Sequence, residues 1–334
     1  MGVTRRAVAT DRRGDRRPLV SVVTPVYNTA EYLAECMESV LNQTYGNWEH
    51  VVVDNQSTDG SLELARAYES RDQRVRVVAA DDFVGGGENA NRALLEMSGD
   101  ARYCKVLHAD DWLFPECLER MVALAEDNPG VGIVSAYRLE ETRVTLDGIP
   151  YSVSVVPGRE IASSMLLGAP YPYVFGSPTS LLIRSDLIRK RDPFYNVDNR
   201  YQHDQEACYE LLQESDFAFV HQVLTFTRRP NTAGSAYWIR VGAQLPGQIE
   251  LLLKYGPVYL EPPAYRRRLA VLLVHYGFFL LRRLPGLGDE DYRTYQQQAA
   301  ARLLDRIDWN DVGVGVRLQL QLMRETRRLL PGRR

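Results

Sequence analysis

Tyr103-Cys104-Lys105-Val106-Leu107-His108-Ala109-Asp110-Asp111-Trp112 runs a strand-favouring segment straight into two adjacent carboxylates, followed by an aromatic, Pro115 and a helical pattern. The order of residue types places the acids at the carboxyl end of a buried strand. Open α/β sheets bind their ligands at that edge. Two neighbouring aspartates repel each other unless a cation or a helix N-terminus accompanies them, and a divalent cation is the expected company here.

Upstream, Val20 to Thr24 reads as a strand and Pro25-Val26-Tyr27-Asn28 as a turn. The helix from Glu31 to Gln43 sets Tyr32, Leu33, Cys36, Met37, Val40 and Leu41 on one face, with Asn28 and Glu31 at capping-box spacing. Trp48 to Val53 is the next strand, ending in Asp54-Asn55-Gln56-Ser57-Thr58-Asp59-Gly60, where Asp59 is expected to cap the helix that runs on to Glu69. Val75 to Ala80 is a third strand. Gly85-Gly86-Gly87 reads as a mobile loop before a helix from Asn89 to Met97. Downstream of the acids come a helix over Pro115 to Asp127 and a strand over Val131 to Ser135. This alternation predicts an α/β fold with a mostly parallel, Rossmann-like sheet covered by helices on both faces.

Beyond Tyr137 the character changes. Alternating residues between Leu139 and Val156 predict a hairpin around Asp147-Gly148. A helix over Gly158 to Leu167, a strand over Ser180 to Arg184, a loop holding His203-Asp204 that enters a helix, and a strand over Val220 to Thr227 follow. After Gly234 the pattern is helical, with breaks at Gly256-Pro257, Pro262-Pro263 and Pro285 to Gly288. The expected organisation is a disordered basic tail (1–18), two halves of a catalytic region (19–137 and 138–235) and a helical C-terminal region (236–334).

The 334 residues are 45% hydrophobic and 25% charged, which supports a sizeable core. A net charge of −3 gives no general drive toward nucleic acid. Cys36, Cys104, Cys117 and Cys208 stand apart inside apolar patterns and read as reduced core residues of a cytoplasmic protein. The basic N-terminus lacks an apolar core segment, so no signal peptide is expected there. Leu269 to Leu281 is too short to span a bilayer and is expected to pack on the catalytic region or a second subunit. The flanking Arg266 to Arg268 and Arg282-Arg283 leave open a peripheral contact with the inner face of a membrane.

Val22-Val23-Thr24-Pro25-Val26-Tyr27-Asn28, Ser39-Val40-Leu41-Asn42-Gln43-Thr44, Val53-Asp54-Asn55-Gln56-Ser57-Thr58-Asp59-Gly60 and Asp110-Asp111, in this order and spacing, resemble the family 2 glycosyltransferases. The resemblance covers Leu19 to Ser235 and implies the A-type glycosyltransferase fold. It also implies an inverting transfer from a nucleoside diphosphate sugar of UDP or dTDP type, with Mg2+ or Mn2+ as cofactor. It implies donor binding at Thr24, Pro25, Tyr27, Asn28, Asp54, Asn91, Arg92 and Asp110, with Asp54 accepting the imide N–H of the base, while His108 is open to a hydrogen bond with the ribose, to ligation of the metal through nitrogen or to capping of the strand. Asp110 and Asp111 are the implied metal ligands, and Asp204 is the implied catalytic base.

The residues themselves agree with that assignment. Loops after the first, second and fourth strands converge on one crevice and bring hydroxyl, amide and carboxylate groups together. A hard cation there neutralises the charge that gathers on a departing diphosphate. An inverting transfer needs a carboxylate on the opposite face of the sugar, and Asp204 supplies one.

The chain also departs from the family pattern. His108 stands where relatives carry the first acid of Asp-x-Asp, and the lowered negative charge predicts that metal arrives with the diphosphate. Ala90 replaces an arginine, leaving Asn89, Asn91 and Arg92 beside the nucleotide. His203 replaces a glutamate before Asp204. Arg228-Arg229-Pro230-Asn231-Thr232-Ala233-Gly234-Ser235 is an expected lid that lacks the family's histidine. Trp238 and Tyr171-Pro172-Tyr173 are candidate sugar-stacking groups. The acceptor is expected to be a carbohydrate, a lipid-linked or a small-molecule hydroxyl, with a homo-oligomer formed through the C-terminal helices. The altered histidines favour as the alternative a non-catalytic nucleotide-sugar-binding or scaffold module. The Thr24 to Thr29 turn holds neither glycine nor lysine, which argues against nucleotidyltransferases and dinucleotide oxidoreductases.

Overall fold

The computed structural model describes residues 17–171, 173–198, 201–229, 235–283 and 289–308. The expected tail over 1–16, most of the expected lid (230–234), Pro172 and the break at 285–288 lie outside the described residues.

Strand β1 (Val20–Val26) leads through α1 (Ala30–Leu41) to β2 (Trp48–Asp54), and α2 (Ser61–Arg71) leads to β3 (Val75–Ala79). Helix α3 (Gly86–Leu95) then precedes β4 (Tyr103–Val106), which carries the acid pair at its end. The valine-rich β1 and β2 are buried along nearly their whole length, as strands covered on both faces require. β1 is the centre: it pairs in parallel with β2 on one side and β4 on the other, with Val26 level with Asp54 and Val23 level with Val106. The chain therefore reverses its direction of winding at β1, and a crevice opens between the carboxyl ends of β1 and β4.

The second half begins with β5 (Trp112–Leu113), α4 (Cys117–Asp127), β6 (Val131–Glu140), β7 (Arg143–Thr145), β8 (Val155–Val156) and α5 (Gly158–Leu167). It continues through β9 (Leu182–Arg184), α6 (Ser185–Arg189), α7 (His203–Leu211) and β10 (Asp216–Thr227). The sheet order is β3-β2-β1-β4-β9-β6-β10-β5. Pairings among β1 to β4 and between β6 and β10 are parallel, while β9 and β5 insert antiparallel, so the sheet is mixed. Helices α8 (Ser235–Arg240), α9 (Gln244–Tyr259), α10 (Pro262–Arg282) and α11 (Glu290–Arg306) form the C-terminal layer. No described helix is long and apolar enough to cross a membrane.

Strand alternation divides the core into two layers. Val20, Val22 and Val26 face α1, α2 and α4, whereas Val23 faces the layer that holds α3, α5, α7 and the C-terminal helices. All four cysteines are free and buried.

Local expectations need correction in four places, whereas Asp59 caps the helix after it as expected and the helix before it as well. Asn28 does not close a capping box, because its side-chain oxygen accepts from the Thr58 N–H at 2.8 Å and its φ is 50°. Asp59 serves both helices, accepting from the N–H of Ser61 at 3.0 Å and of Ala30 at 2.9 Å. Gly86 and Gly87 open α3 rather than forming a loop. The hairpin turns after Glu140, where Glu141 takes φ 51° and Glu140 pairs with Arg143, not at Asp147-Gly148. Gly256-Pro257 lies inside α9, and Pro262-Pro263 forms the first turn of α10, where proline lacks no helical partner.

Candidate active site

Asp54 ends β2 with 1% of its surface exposed. Its Oδ2 accepts the Ser57 N–H at 3.1 Å, while Oδ1 is buried without a hydrogen-bond partner. A buried, unpartnered carboxylate oxygen costs free energy unless a donor arrives. Around it, two loops are locked together. Asn55 exchanges hydrogen bonds with the backbone of Val84, at 2.8 and 3.1 Å, and the Asn28 N–H donates to Ser57 Oγ at 3.0 Å. Tyr27 and Phe83, 46% and 56% exposed, meet with ring centroids 4.8 Å apart and form an aromatic lip on the loops that follow β1 and β3. Arg92 binds Asp82 in the same loop at 2.8 Å.

Three expected donor-site residues are engaged elsewhere or set back. Thr24 is fully buried, its hydroxyl 2.9 Å from His50 Nε2 inside the sheet, so it is not offered to the crevice. Burial holds the His50 imidazole neutral, with its pKa pushed down to about 3. Asn91 exchanges two hydrogen bonds with the backbone of Tyr195, at 2.8 and 2.7 Å, which ties α3 to the second half of the chain. Pro25 is a half-buried strand residue level with Val53.

The end of β4 turns through His108 and Ala109 into the acid pair. One ligand atom each of His108, Asp110 and Asp111 lies within 4.8 Å of the other two. The two aspartates differ in role. Asp111 is 1% exposed, and its Oδ1 accepts the Arg228 N–H at 3.1 Å while Oδ2 accepts the Thr227 hydroxyl at 3.3 Å. Burial pushes its carboxyl pKa up, His108 opposes the shift and Asp110 reinforces it. Asp110 is half-buried, and among the described residues no donor bonds its carboxylate. Asp110 thus fits a cation ligand, with His108 beside it and Asp111 holding the turn.

Arg228 organises this corner. Its Nε reaches the Asp110 carbonyl at 3.2 Å, its guanidinium meets Glu35 Oε2 at 2.6 Å, and it lies over the Tyr32 ring at 4.4 Å. Beneath it, Arg138 of β6 is bound to Glu140 at 2.6 Å, and Glu140 also holds Arg229 at 2.8 Å. Burial lowers the Arg138 pKa, and Asp111 and Glu140 counteract that. Arg138 and Phe83 are site-facing residues that sequence reasoning missed, since each reads as an ordinary strand or loop residue.

Asp204 occupies the first turn of α7, and its Oδ1 accepts the Gln205 N–H at 2.8 Å. The helix N-terminus there stabilises a carboxylate. A Cβ on Gly87 would stand 3.9 Å from the His203 ring, so the starts of α3 and α7 face each other. The His203 ring meets Tyr195 at 5.1 Å. Tyr201 lies between the two halves of the site: burial raises its phenol pKa, Asp204 raises it further and Arg229 opposes. Trp238 of α8 is 6.2 Å from Tyr201, centroid to centroid, whereas Tyr173 is 67% exposed with φ 56°.

The sequence model of the family described as "Glycosyl transferase family 2" matches residues 21–186. Glycosyltransferase GlyG of Streptococcus pneumoniae serotype 4 is 34% identical over 219 residues, which cover 63% of this chain and 71% of that protein. TuaG, a Bacillus subtilis glycosyltransferase, is 34% identical over 134 residues, 40% of this chain, and the match spans about half (51%) of its length. Among solved structures, S. aureus TarS 1-349 in complex with UDP superposes with a TM-score of 0.65 at 18% identity, covering 93% of this chain and 88% of that one. The mannosyltransferase PcManGT from Pyrobaculum calidifontis, in complex with GDP-Man and Mn2+, gives 0.53 at 17% identity, covering 88% of each chain. At these identities the structural likeness speaks for the fold, which is the A-type glycosyltransferase fold with a C-terminal helical layer.

Proposed function

The chain belongs to glycosyl transferase family 2, and from that membership we propose that it transfers a sugar from a UDP- or dTDP-type donor to an acceptor hydroxyl in one inverting, metal-assisted displacement. The observation that carries the donor reading is Asp54 Oδ1, buried and without a partner at the carboxyl end of β2. A uracil or thymine imide N–H supplies the missing donor there, whereas cytosine carries an acceptor at that ring nitrogen and offers only its exocyclic amino group. Tyr27 and Phe83 line the lip over which the base enters.

Asp110 would be the leading ligand of a divalent cation, with His108 beside it, and Mg2+ or Mn2+ would suit a carboxylate shared with diphosphate oxygens. A divalent cation bound there neutralises charge on the departing nucleoside diphosphate. Arg228 and Arg229, at the end of β10, would supply guanidinium groups to the phosphate oxygens in exchange for their contacts with Glu35 and Glu140. On the acceptor side, Asp204 accepts the hydroxyl proton as the new glycosidic C–O bond forms and the bond from the anomeric carbon to the diphosphate breaks. Its Oδ1 accepts the Gln205 N–H, which fixes one oxygen of the carboxylate at the start of α7. Tyr201 and Trp238 offer aromatic faces on which the acceptor rests.

Calorimetric titration with UDP, dTDP and CDP, each with Mn2+ and with EDTA, tests this reading. UDP and dTDP should bind better than CDP, EDTA should weaken them, and Asp54→Asn should cost about tenfold in affinity for UDP, the worth of one hydrogen bond near 1.4 kcal/mol. Mn2+ should bind more tightly when UDP is present. Asp204→Asn should leave donor affinity in place while transfer falls by about 100-fold or more. Equal affinity for all three nucleotides would defeat the Asp54 assignment, and full transfer by Asp204→Asn would defeat the base.

A further inference from the structure

Helix α10 carries a surface that neither the core nor the crevice uses. Its 21 residues, with the following Arg283, include Arg266, Arg267, Arg268, Arg282 and no carboxylate. Leu269, Leu272, Leu273 and Tyr276 are buried inward, where Tyr276 donates to Gln296 of α11 at 2.6 Å. On the outward side Val271, Phe278 and Leu281 are 39%, 51% and 52% exposed, with half-buried Val274 between them. Positions 271, 274, 278 and 281 make one helical stripe.

Among the described residues, Arg267, Arg282 and Arg283 have no carboxylate partner; Arg283 lies over the Phe279 ring at 5.8 Å. Of the three acids that open the following helix, Asp289, Glu290 and Asp291, the two aspartates are paired with Arg240. Large apolar side chains flanked by Arg267 on one side and Arg282 and Arg283 on the other suit an element that lies in the plane of an anionic interface. The apolar stripe enters the acyl boundary and the arginines meet phosphate oxygens. A second copy fits this face less well, since a two-fold pairing along α10 would set arginines against arginines with no acid on the helix to answer them.

We propose that α10 seats the protein on an anionic lipid surface, with Val271, Phe278 and Leu281 inserted and Arg267, Arg282 and Arg283 on the headgroups. This inference does not depend on the transfer chemistry. Co-sedimentation of the full chain with phosphatidylcholine vesicles, with and without phosphatidylglycerol, tests it. Binding should require phosphatidylglycerol and fall about tenfold or more in the double variant Phe278→Glu/Leu281→Glu. The variant should keep its melting temperature and its UDP affinity. Three results would overturn the proposal: no binding to the anionic vesicles, binding that the double variant retains, which assigns it to the arginines of residues 1–17, or a dimer in sedimentation velocity that the double variant dissociates.

Discussion

The backbone N–H of Arg228 donates to Asp111 Oδ1 at 3.1 Å, so the last residues of β10 are fastened to the acid pair that ends β4. The two adjacent carboxylates are thereby separated in environment: Asp111 answers buried donors, while Asp110 is the proposed cation ligand. Asp111→Ala should strand the Thr227 hydroxyl and the Arg228 N–H and lower stability by roughly 1–3 kcal/mol. Asp110→Ala should leave the unfolding midpoint in place and remove the effect of Mn2+ on UDP affinity. Thermal denaturation and calorimetry on the two variants separate the roles, and equal loss of stability in both would show that Asp110 is structural as well.

Much of this arrangement was legible because its signals are local. The valine runs of β1 and β2, and the Asp54 to Gly60 and Asp110-Asp111 turns, each declare themselves within a few residues. What escaped is set by partners far along the chain. Asn91 looked like a nucleotide contact, but it binds the backbone of Tyr195, 104 positions away. Thr24 looked like a crevice hydroxyl, but strand pairing turns it toward His50. Asp147-Gly148 has hairpin chemistry, yet the parallel pairing of β6 with β10 extends as far as Glu140 and fixes the turn immediately after it.

His50 gives the fold an acid limit. Its pKa is about 3 in the native protein, against an ordinary value of 6.5. Between those values the unfolded chain binds a proton that the folded chain refuses. The folded state therefore has its full stability from this group above about pH 6.5 and loses it progressively as pH falls toward 3, at about 1.4 kcal/mol per pH unit for an isolated site. Replacing His50 by Gln keeps a side-chain amide opposite Thr24 and removes the titration. Urea midpoints between pH 4 and 8 should decline more steeply on the acid side in the parent than in His50→Gln. Parallel curves would remove His50 as the origin of the acid sensitivity.

Lys105 lies on β4, the strand that leads to the acid pair, fully buried, and among the described residues its Nζ meets the Met121 sulfur at 3.6 Å and the neighbouring Cys117 thiol. Burial lowers its pKa from 10.5, the thiols opposing weakly, so as pH falls below the ordinary lysine range the unfolded chain takes up a proton before the fold does. Stability from this residue is thus best in alkali and declines as pH falls toward the depressed native value. Lys105→Met offers similar length without the amine and should stabilise the protein by roughly 1–3 kcal/mol at pH 7, with the gain shrinking toward pH 10. Guanidinium unfolding at both pH values measures the difference. If the methionine variant is instead less stable at pH 7, the amine contributes through its contacts with Met121 and Cys117 more than its burial costs, and Lys105 is a packing element of the strand that carries Asp110.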